Sequence, residues 1–561
     1  MASDFNRREF AAALAGVLAS ARAGAQAPVL CPADPLVSSS STPLTIDTHA
    51  HFFNGSDLQI KQFLSQTTVG PDSELFPLVK AMGGVLQALA WHLAPSAAAE
   101  ARAIDRYAAQ LRECAGADQM RSVARPAFRE GYAVGRRELQ TASGSVQQSS
   151  AGAAVLGPRD SKTGLGAAIA DLPPTFDEFE ERRTDSATVL GSQPSLLGYL
   201  QFVLHHFNHR HVNAIDYLAT YSRGTARKID LVVASMVDYD WWLAGGQGTA
   251  TPLEAQVDVM AQVSVLLGGR VHGFAPFCPF RELMTAGADG EGDAIRLVKR
   301  AVRSRGFIGV KLYPPMGFAP WGNAGKSVWK GKPTLPRGAA DDESFGQRLD
   351  AAMERLFTWC LAEDVPVMAH TNHSNGPYEE FKALAGSEYW DRALRRFPGL
   401  RVSFGHFGDT DLEDHGGDRS RAFLKLLTGP GSPGANTYAD SSYFAGVLMN
   451  QGRVAQTLQD LYAASEKGVL VERLMYGTDW TMILPQRHVE RYLSDFMDVV
   501  DEIQSKQPAL AARQTNLADA FFGRNAVAYL GLARGQQNRN RLEAFYAANN
   551  VPQPDWMRKL G

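Results

Sequence analysis

The stretch Leu44-Thr45-Ile46-Asp47-Thr48-His49-Ala50-His51-Phe52-Phe53 decides the reading of this chain. Its first three residues have the apolar and β-branched content of a buried strand. The strand runs into Asp47 and then into His49 and His51, one residue apart. On an extended chain residues i and i+2 share a face, so two imidazoles converge just past a strand end. Neutral imidazole is a good ligand for zinc and its neighbours. A His-x-His pair alone is also met on surfaces and among satisfied core histidines. The weight therefore falls on whether later strands end in further ligands.

From Lys228 onward short apolar runs alternate with helical patterns. Strand patterns at 229–237, 271–277, 307–313, 366–371, 400–406, 437–441 and 474–478 are each followed by a helix pattern. With the strand at Leu44 they make eight βα units, which predicts an α/β protein built as a (β/α)8 TIM barrel. A doubly wound open sheet is the alternative, but no Gly-x-Gly-x-x-Gly opens a first helix. Catalytic groups of a barrel sit at the C-terminal ends of its strands. GFIGVKLYPP carries Lys311 there, VPVMAHTNHS ends in His370 with His373 beyond, VSFGHFGD ends in His406, and LMYGTDW ends in Asp479. Buried imidazoles and carboxylates are costly unless paired or metal-bound. Their gathering on one rim points to a metal site.

Residues 55–227 carry no strand pattern, and a gap of roughly 170 residues is too long for a plain loop. Helical spacings at 73–93 and 97–114, a capping box at Thr175-x-x-Glu178, and a helix pattern from Pro194 to about Tyr221 predict a large helical insertion after strand 1. It is expected to cover the barrel mouth. The Ser, Gly and Ala content of 140–166 reads as a loop. His205, His206, His209 and His211 lie near the end of the insertion and read as a polar, partly aromatic helix face, since no carboxylate or cysteine stands beside them. The loop after strand four, 314–342, is long, with Met316, Phe318, Trp321, Trp329, Lys326, Lys330 and Arg337. It is read as part of a substrate wall.

The 561 residues are 45% hydrophobic and 20% charged, with a formal net charge of -3. That is globular composition, without the basic excess of a nucleic-acid binder. No apolar run reaches the roughly 20 residues of a membrane span. Four widely spaced cysteines, Cys31, Cys114, Cys278 and Cys360, form neither a disulfide framework nor a zinc finger. At the N-terminus Arg7-Arg8-x-Phe10, a mildly apolar run and Ala25-Gln26-Ala27 resemble a twin-arginine export signal over 1–27. The expectation is a periplasmic or secreted bacterial protein that meets the twin-arginine export machinery.

DTHAHFFN, GVKLYPP, VPVMAHT, FGHFG and YGTDW, with the closing Phe522-Gly523-Arg524-Asn525-Ala526 through Leu532, together resemble the amidohydrolase superfamily. The similarity is to its amidohydrolase-related branch, which also holds metal-dependent decarboxylases. It spans 44–54 and 228–532, leaving 533–561 as a C-terminal extension. The resemblance implies that His49, His51, His370 and Asp479 hold a divalent metal, expected to be zinc. Asp479 would also act as general base. His406 would bind a second metal or steer the attacking water. Lys311 would be a carbamylated bridge between two metals if the site is binuclear; otherwise it is read as a ligand for a substrate carboxylate or a partner in a buried ion pair. His373, Trp321 and Trp480 are placed on the substrate side. The implied activity is hydrolysis of an amide, lactam, lactone or related C–N or C–O bond of a small molecule. The alternatives are a non-oxidative decarboxylase or hydratase on the same barrel, or a non-catalytic binding protein. A homo-oligomer is compatible with all three.

Overall fold

The computed structural model describes residues 42–63, 94–113, 120–147, 169–178, 205–222 and, with short breaks, 225–560, together with a few isolated positions between them. Eight strands lie in sequence order in one sheet, each parallel to the next. They are β1 (Ile46–Ala50), β2 (Leu231–Ser235), β3 (Val271–Pro276), β4 (Gly309–Leu312), β5 (Val367–His370), β6 (Val402–Gly405), β7 (Thr437–Asp440) and β8 (Leu474–Met475). Every residue in them is buried. This is the pattern of a parallel sheet covered on its outer face by crossover helices. Beyond β8 the chain closes the barrel against β1. The Thr48 amide donates to the Tyr476 carbonyl at 3.0 Å, the Asp479 amide to the His49 carbonyl at 2.7 Å, and Ala50 bridges Trp480.

The expected strands are present but shorter at most ends. β1 is the exception, since it runs through His49 to Ala50 instead of ending at Asp47. The helix pattern after the fifth strand is divided at Gly386, whose extended backbone (φ -61°, ψ 154°) caps a new helix, Ser387–Arg396. The loop expected over 140–166 is helical as far as Gln147, within Met120–Gln147. The helix expected from Pro194 to about Tyr221 is interrupted: Phe202 and His205 are helical, the chain then turns, and a second helix, Arg210–Thr220, starts after an extended His209 (φ -68°, ψ 143°). His205 and His206 therefore lie outside the helix Arg210–Thr220 and do not share its face with His211. Thr175 does accept the Glu178 amide at 3.2 Å, as a cap requires. Residues 1–41 lie outside the described residues, as do Cys31, Cys114 and Arg337.

The described part of the insertion meets the barrel at the catalytic end of β1 and β8. The Gly55 amide donates to the His206 carbonyl at 2.6 Å, Asn213 Nδ2 to the Phe53 carbonyl at 3.2 Å, and Tyr221 to the Val489 carbonyl at 2.9 Å. A buried ion cluster fastens it. Arg210 Nη2 lies 2.9 Å from Asp57 and 3.0 Å from Glu100. The opposite face is closed by the C-terminal extension. Asn538 Nδ2 donates to the Ile308 carbonyl at 2.7 Å, Trp556 Nε1 to the Gly269 carbonyl at 2.9 Å, and Lys559 pairs with Asp230 at 2.8 Å. Phe545, Tyr546, Trp556 and Met557 pack there with Phe274, Met368 and Tyr438 from the barrel strands. Among the described residues no helix is long and apolar enough to cross a membrane.

Candidate metal centre

β1, β4, β5, β6, β7 and β8 each deliver a polar side chain to one place at the C-terminal end of the barrel. His49 and His51 arrive on alternate positions of the same extended run. Asp479 follows β8 at φ 59°, and His406 follows β6 at φ 63°. Left-handed backbone is unusual for residues other than glycine and concentrates at functional sites. Here it turns both chains off the sheet at the residue whose side chain is used. The space is tight: a Cβ on Gly405 would lie 3.0 Å from His49 Cε1, and one on Gly477 3.1 Å from His49 Cβ. Both glycines are needed for this close approach.

Asp479 Oδ1 lies 3.0 Å from His51 Nε2 and 3.6 Å from His49 Nε2. His49, His406 and Asp479 offer ligand atoms that all lie within 4.8 Å of one another. His370 joins through His406, with His370 Nδ1 3.0 Å from His406 Nε2, and its ring stacks on Tyr313 at 4.4 Å. Lys311 Nζ is 3.2 Å from His49 Nε2 and 3.0 Å from Met368 Sδ. The structure thus brings His49, His51, His370, His406, Lys311 and Asp479 into one buried cluster. His406, rather than His370, shares the tightest group with His49 and Asp479.

The hydrogen bonds on the far side of the rings fix which nitrogen carries the hydrogen. His51 Nδ1 faces the Ser235 carbonyl at 2.7 Å and must donate to it. Ser442 Oγ donates its single hydrogen to Asp440 Oδ1 at 2.5 Å. Its lone pairs then accept from His49 Nδ1 at 2.8 Å and His406 Nδ1 at 2.9 Å. His406 Nε2 is left as an acceptor, so His370 Nδ1 donates to it. Two imidazole lone pairs, those of His49 and His51, consequently point inward with a carboxylate among them, while that of His406 is held by the His370 N–H. His51 Nε2 and Asp479 Oδ1, 3.0 Å apart, need a cation between them, either a proton on His51 or a metal ion in its place. Ligand atoms about 2.0–2.1 Å from a tetrahedral zinc stand about 3.3 Å apart, within the observed 3.0–3.6 Å. The donor set fits a divalent metal, with His49, His51 and Asp479 as its core and His406 or His370 completing it.

The electrostatics agree. Burial, together with Lys311, holds His49 well below the usual imidazole range, and burial does the same for His370 and lowers His406. All three are neutral, as ligands must be. Burial alone would raise the Asp479 carboxyl, but the His51 hydrogen bond and the neighbouring imidazoles hold it below its ordinary value. Burial pushes Lys311 down to about 7. Beneath the cluster, burial lifts Asp47 to about 7 against hydrogen bonds from Thr478 and Tyr217 that pull it down. Asp47 accepts from Tyr217 at 2.5 Å, Thr478 Oγ1 at 2.6 Å and the His49 amide at 2.9 Å. It ties β1, the β8 turn and the insertion together directly below the ligands.

The residues assigned to the substrate side fall in different places. His373 is on the rim, 3.4 Å from Glu379. Trp480 is buried against His205, Tyr217 and Tyr221, joining the barrel to the insertion. Trp321 packs on Phe397 beneath Arg396, in the outer helical layer and not with the ligands. Phe318 and Trp329 of the same loop are buried with Phe280 and Phe345, so much of that loop is part of the main core between the barrel and its helices. Asp440, Ser442, Asp47 and Tyr217 were not singled out from the sequence. TYADSS at the seventh strand end meets the same criterion as the other strand ends, a carboxylate and hydroxyls on the catalytic rim, and would have revealed the first two.

Residues 279–532 match the profile of a family described as amidohydrolase. Among solved structures, a probable 2-pyrone-4,6-dicarboxylic acid hydrolase from Acinetobacter baumannii is similar at 14% identity, over 57% of this chain and 89% of that one, with a TM-score of 0.31. A 2,6-dihydroxybenzoate decarboxylase is similar at 14% identity, over 63% and 95%, with a TM-score of 0.33. A zinc-bound amidohydrolase from Burkholderia multivorans is similar at 13% identity, over 54% and 83%, with a TM-score of 0.31. No curated protein sequence matches the chain.

Proposed function

We propose, from the match of residues 279–532 to the amidohydrolase family, that this protein is a metal-dependent hydrolase of a small molecule, cleaving an amide, lactam, lactone or related C–N or C–O bond. The observation that carries the reading is the approach of His51 Nε2 to Asp479 Oδ1 at 3.0 Å with the other nitrogen of His51 committed to Ser235. A divalent ion held there, zinc in this proposal, supplies Lewis acidity and brings the pKa of water to roughly 7. The chain's own residues do the rest. Asp479 is an ionised, buried carboxylate that takes a proton from the attacking water and returns it to the leaving group. His406, held by Ser442, stands beside it with Nε2 as an acceptor that orients the attacking water. Lys311 reaches the same point from β4 to orient a polar group of the substrate.

A second reading, non-oxidative decarboxylation, has one observation in its favour. The buried Lys311 hydrogen-bonds His49 Nε2 and Met368 Sδ, neither of them anionic, and a substrate carboxylate beside it would favour its charged form over the neutral one that burial promotes. The two readings are separated by screening the zinc-loaded protein against amide, ester, lactone and aromatic carboxylic acid panels. Release of acid from the first three supports hydrolysis. Carbon dioxide release from the last, without hydrolysis, replaces it with decarboxylation. Twin-arginine export into the periplasm belongs to the same proposal. Arg7→Lys with Arg8→Lys is expected to retain the protein in the cytoplasm, and unchanged periplasmic protein on fractionation would refute it.

A further inference from the structure

Beside the metal centre the insertion and the loop after β1 enclose an apolar chamber, about 540 Å3 of empty space with its open mouth included. Phe53, Leu58, Phe63, Phe202, His206 and Tyr239 form most of its wall, and among the described residues no charged side chain lines it. Of its two polar side chains, His206 is committed to neighbours. The His206 Nδ1 hydrogen goes to the Phe202 carbonyl at 2.5 Å, and Nε2 accepts from Thr481 at 3.4 Å. Burial depresses His206 to about 4, so the ring is neutral. Tyr239 presents its ring edge to Phe53 and Phe63, each 5.9 Å away.

The chamber adjoins the ligand cluster. Phe53 stacks on His51 at 5.1 Å and 22°. Thr481 and Met482, the latter a wall residue, follow Asp479 within three positions. We propose that this chamber is the substrate subsite for an uncharged apolar moiety about one ring in size, aromatic or cyclic aliphatic, whose reactive polar group stays at the metal centre. An ionised group in the chamber would lose its hydration with nothing to replace it. Any anionic group of the substrate is therefore directed away from the chamber, toward Lys311. An apolar wall with polar groups gathered at one end is the usual build of a small-molecule site. The substrate class rests on the hydrolase reading, but the subsite can be tested without turnover.

The test uses the full chain stripped of metal with a chelator and 4-fluorotoluene as the probe, followed by 19F NMR titration. Saturable binding is expected, with 19F–1H Overhauser contacts to the methyl groups of Leu58 and Ile60. Leu58→Trp and Met482→Trp fill the chamber and should each raise the dissociation constant at least tenfold, while both bind zinc as the wild type does. Absence of saturable binding to the wild type, Overhauser contacts elsewhere, or unchanged affinity in the filled variants would overturn the subsite. Those results would leave the hydrolase reading standing, and a silent activity screen would leave the subsite standing.

Discussion

Ser442 is the residue on which the orientation of the centre turns. One hydroxyl, anchored on Asp440, accepts from both His49 and His406 and so presents both Nε2 lone pairs to one point. Partners of this kind commonly contribute 10–100-fold to metal affinity. Ser442→Ala is expected to weaken zinc binding by about that factor in a competition titration with a chromophoric chelator, and Ser442→Thr should restore much of it. Equal affinity in wild type and Ser442→Ala would show that packing alone orients the rings. Asp479→Asn is expected to abolish turnover, since the amide neither carries the charge nor accepts a proton. At this scale the strand-end ligands could be read because chemistry and spacing coincide: His49 and His51 alternate, and His370, His406 and Asp479 each close a strand. Asp440 and Ser442 escaped because their strand is short and its alternation faint. Tyr217 could not be read at all, since its contact with Asp47 joins positions far apart in sequence through tertiary packing.

Among the elements, the insertion is tied to the barrel by a cluster with two carboxyls and one guanidinium. Arg210 is shared by Asp57 and Glu100, all three buried. Burial lifts Glu100 to about 7 and also raises Asp57, with Arg210 opposing both. The folded pKa of Glu100 is above its unfolded value of 4.5, so the folded state binds more protons between those values. Stability from this group is therefore full below pH about 4.5 and declines as pH rises to about 7. Glu100→Gln should remove that slope, visible as a difference between the two unfolding curves that changes across pH about 4.5–7 and is constant above. A difference independent of pH would mean that the cluster stays fully ionised. The helical nature of the insertion was legible from its spacings, but its breaks were not. No periodic signal marks the extended backbone at His209, which is set by the turn that carries His206 to Thr481.

For the molecule as a whole, the eight βα units were legible because buried parallel strands are short apolar runs between helical patterns. The role of the last segment was not, because residues 533–561 show no motif and act only by closing the barrel floor. Trp556 is fully buried there, and Trp556→Ala is expected to cost about 3–5 kcal/mol in denaturant unfolding while leaving the metal content of the folded protein unchanged. A loss under about 1 kcal/mol, roughly that of a surface change, would make the segment an appendage. The central claim is that the strand ends build one metal site from the two histidines of β1 and Asp479, with Lys311 outside the ligand set. Elemental analysis of the purified full chain beside His49→Ala and Lys311→Ala tests it most directly. The result expected is one divalent ion per chain in the wild type, one in Lys311→Ala, and almost none in His49→Ala. A wild type without metal after growth in zinc, or metal retained by His49→Ala, would contradict the account. Two ions per chain that fall away in Lys311→Ala would also contradict it, in favour of a pair bridged by a carbamate on Lys311.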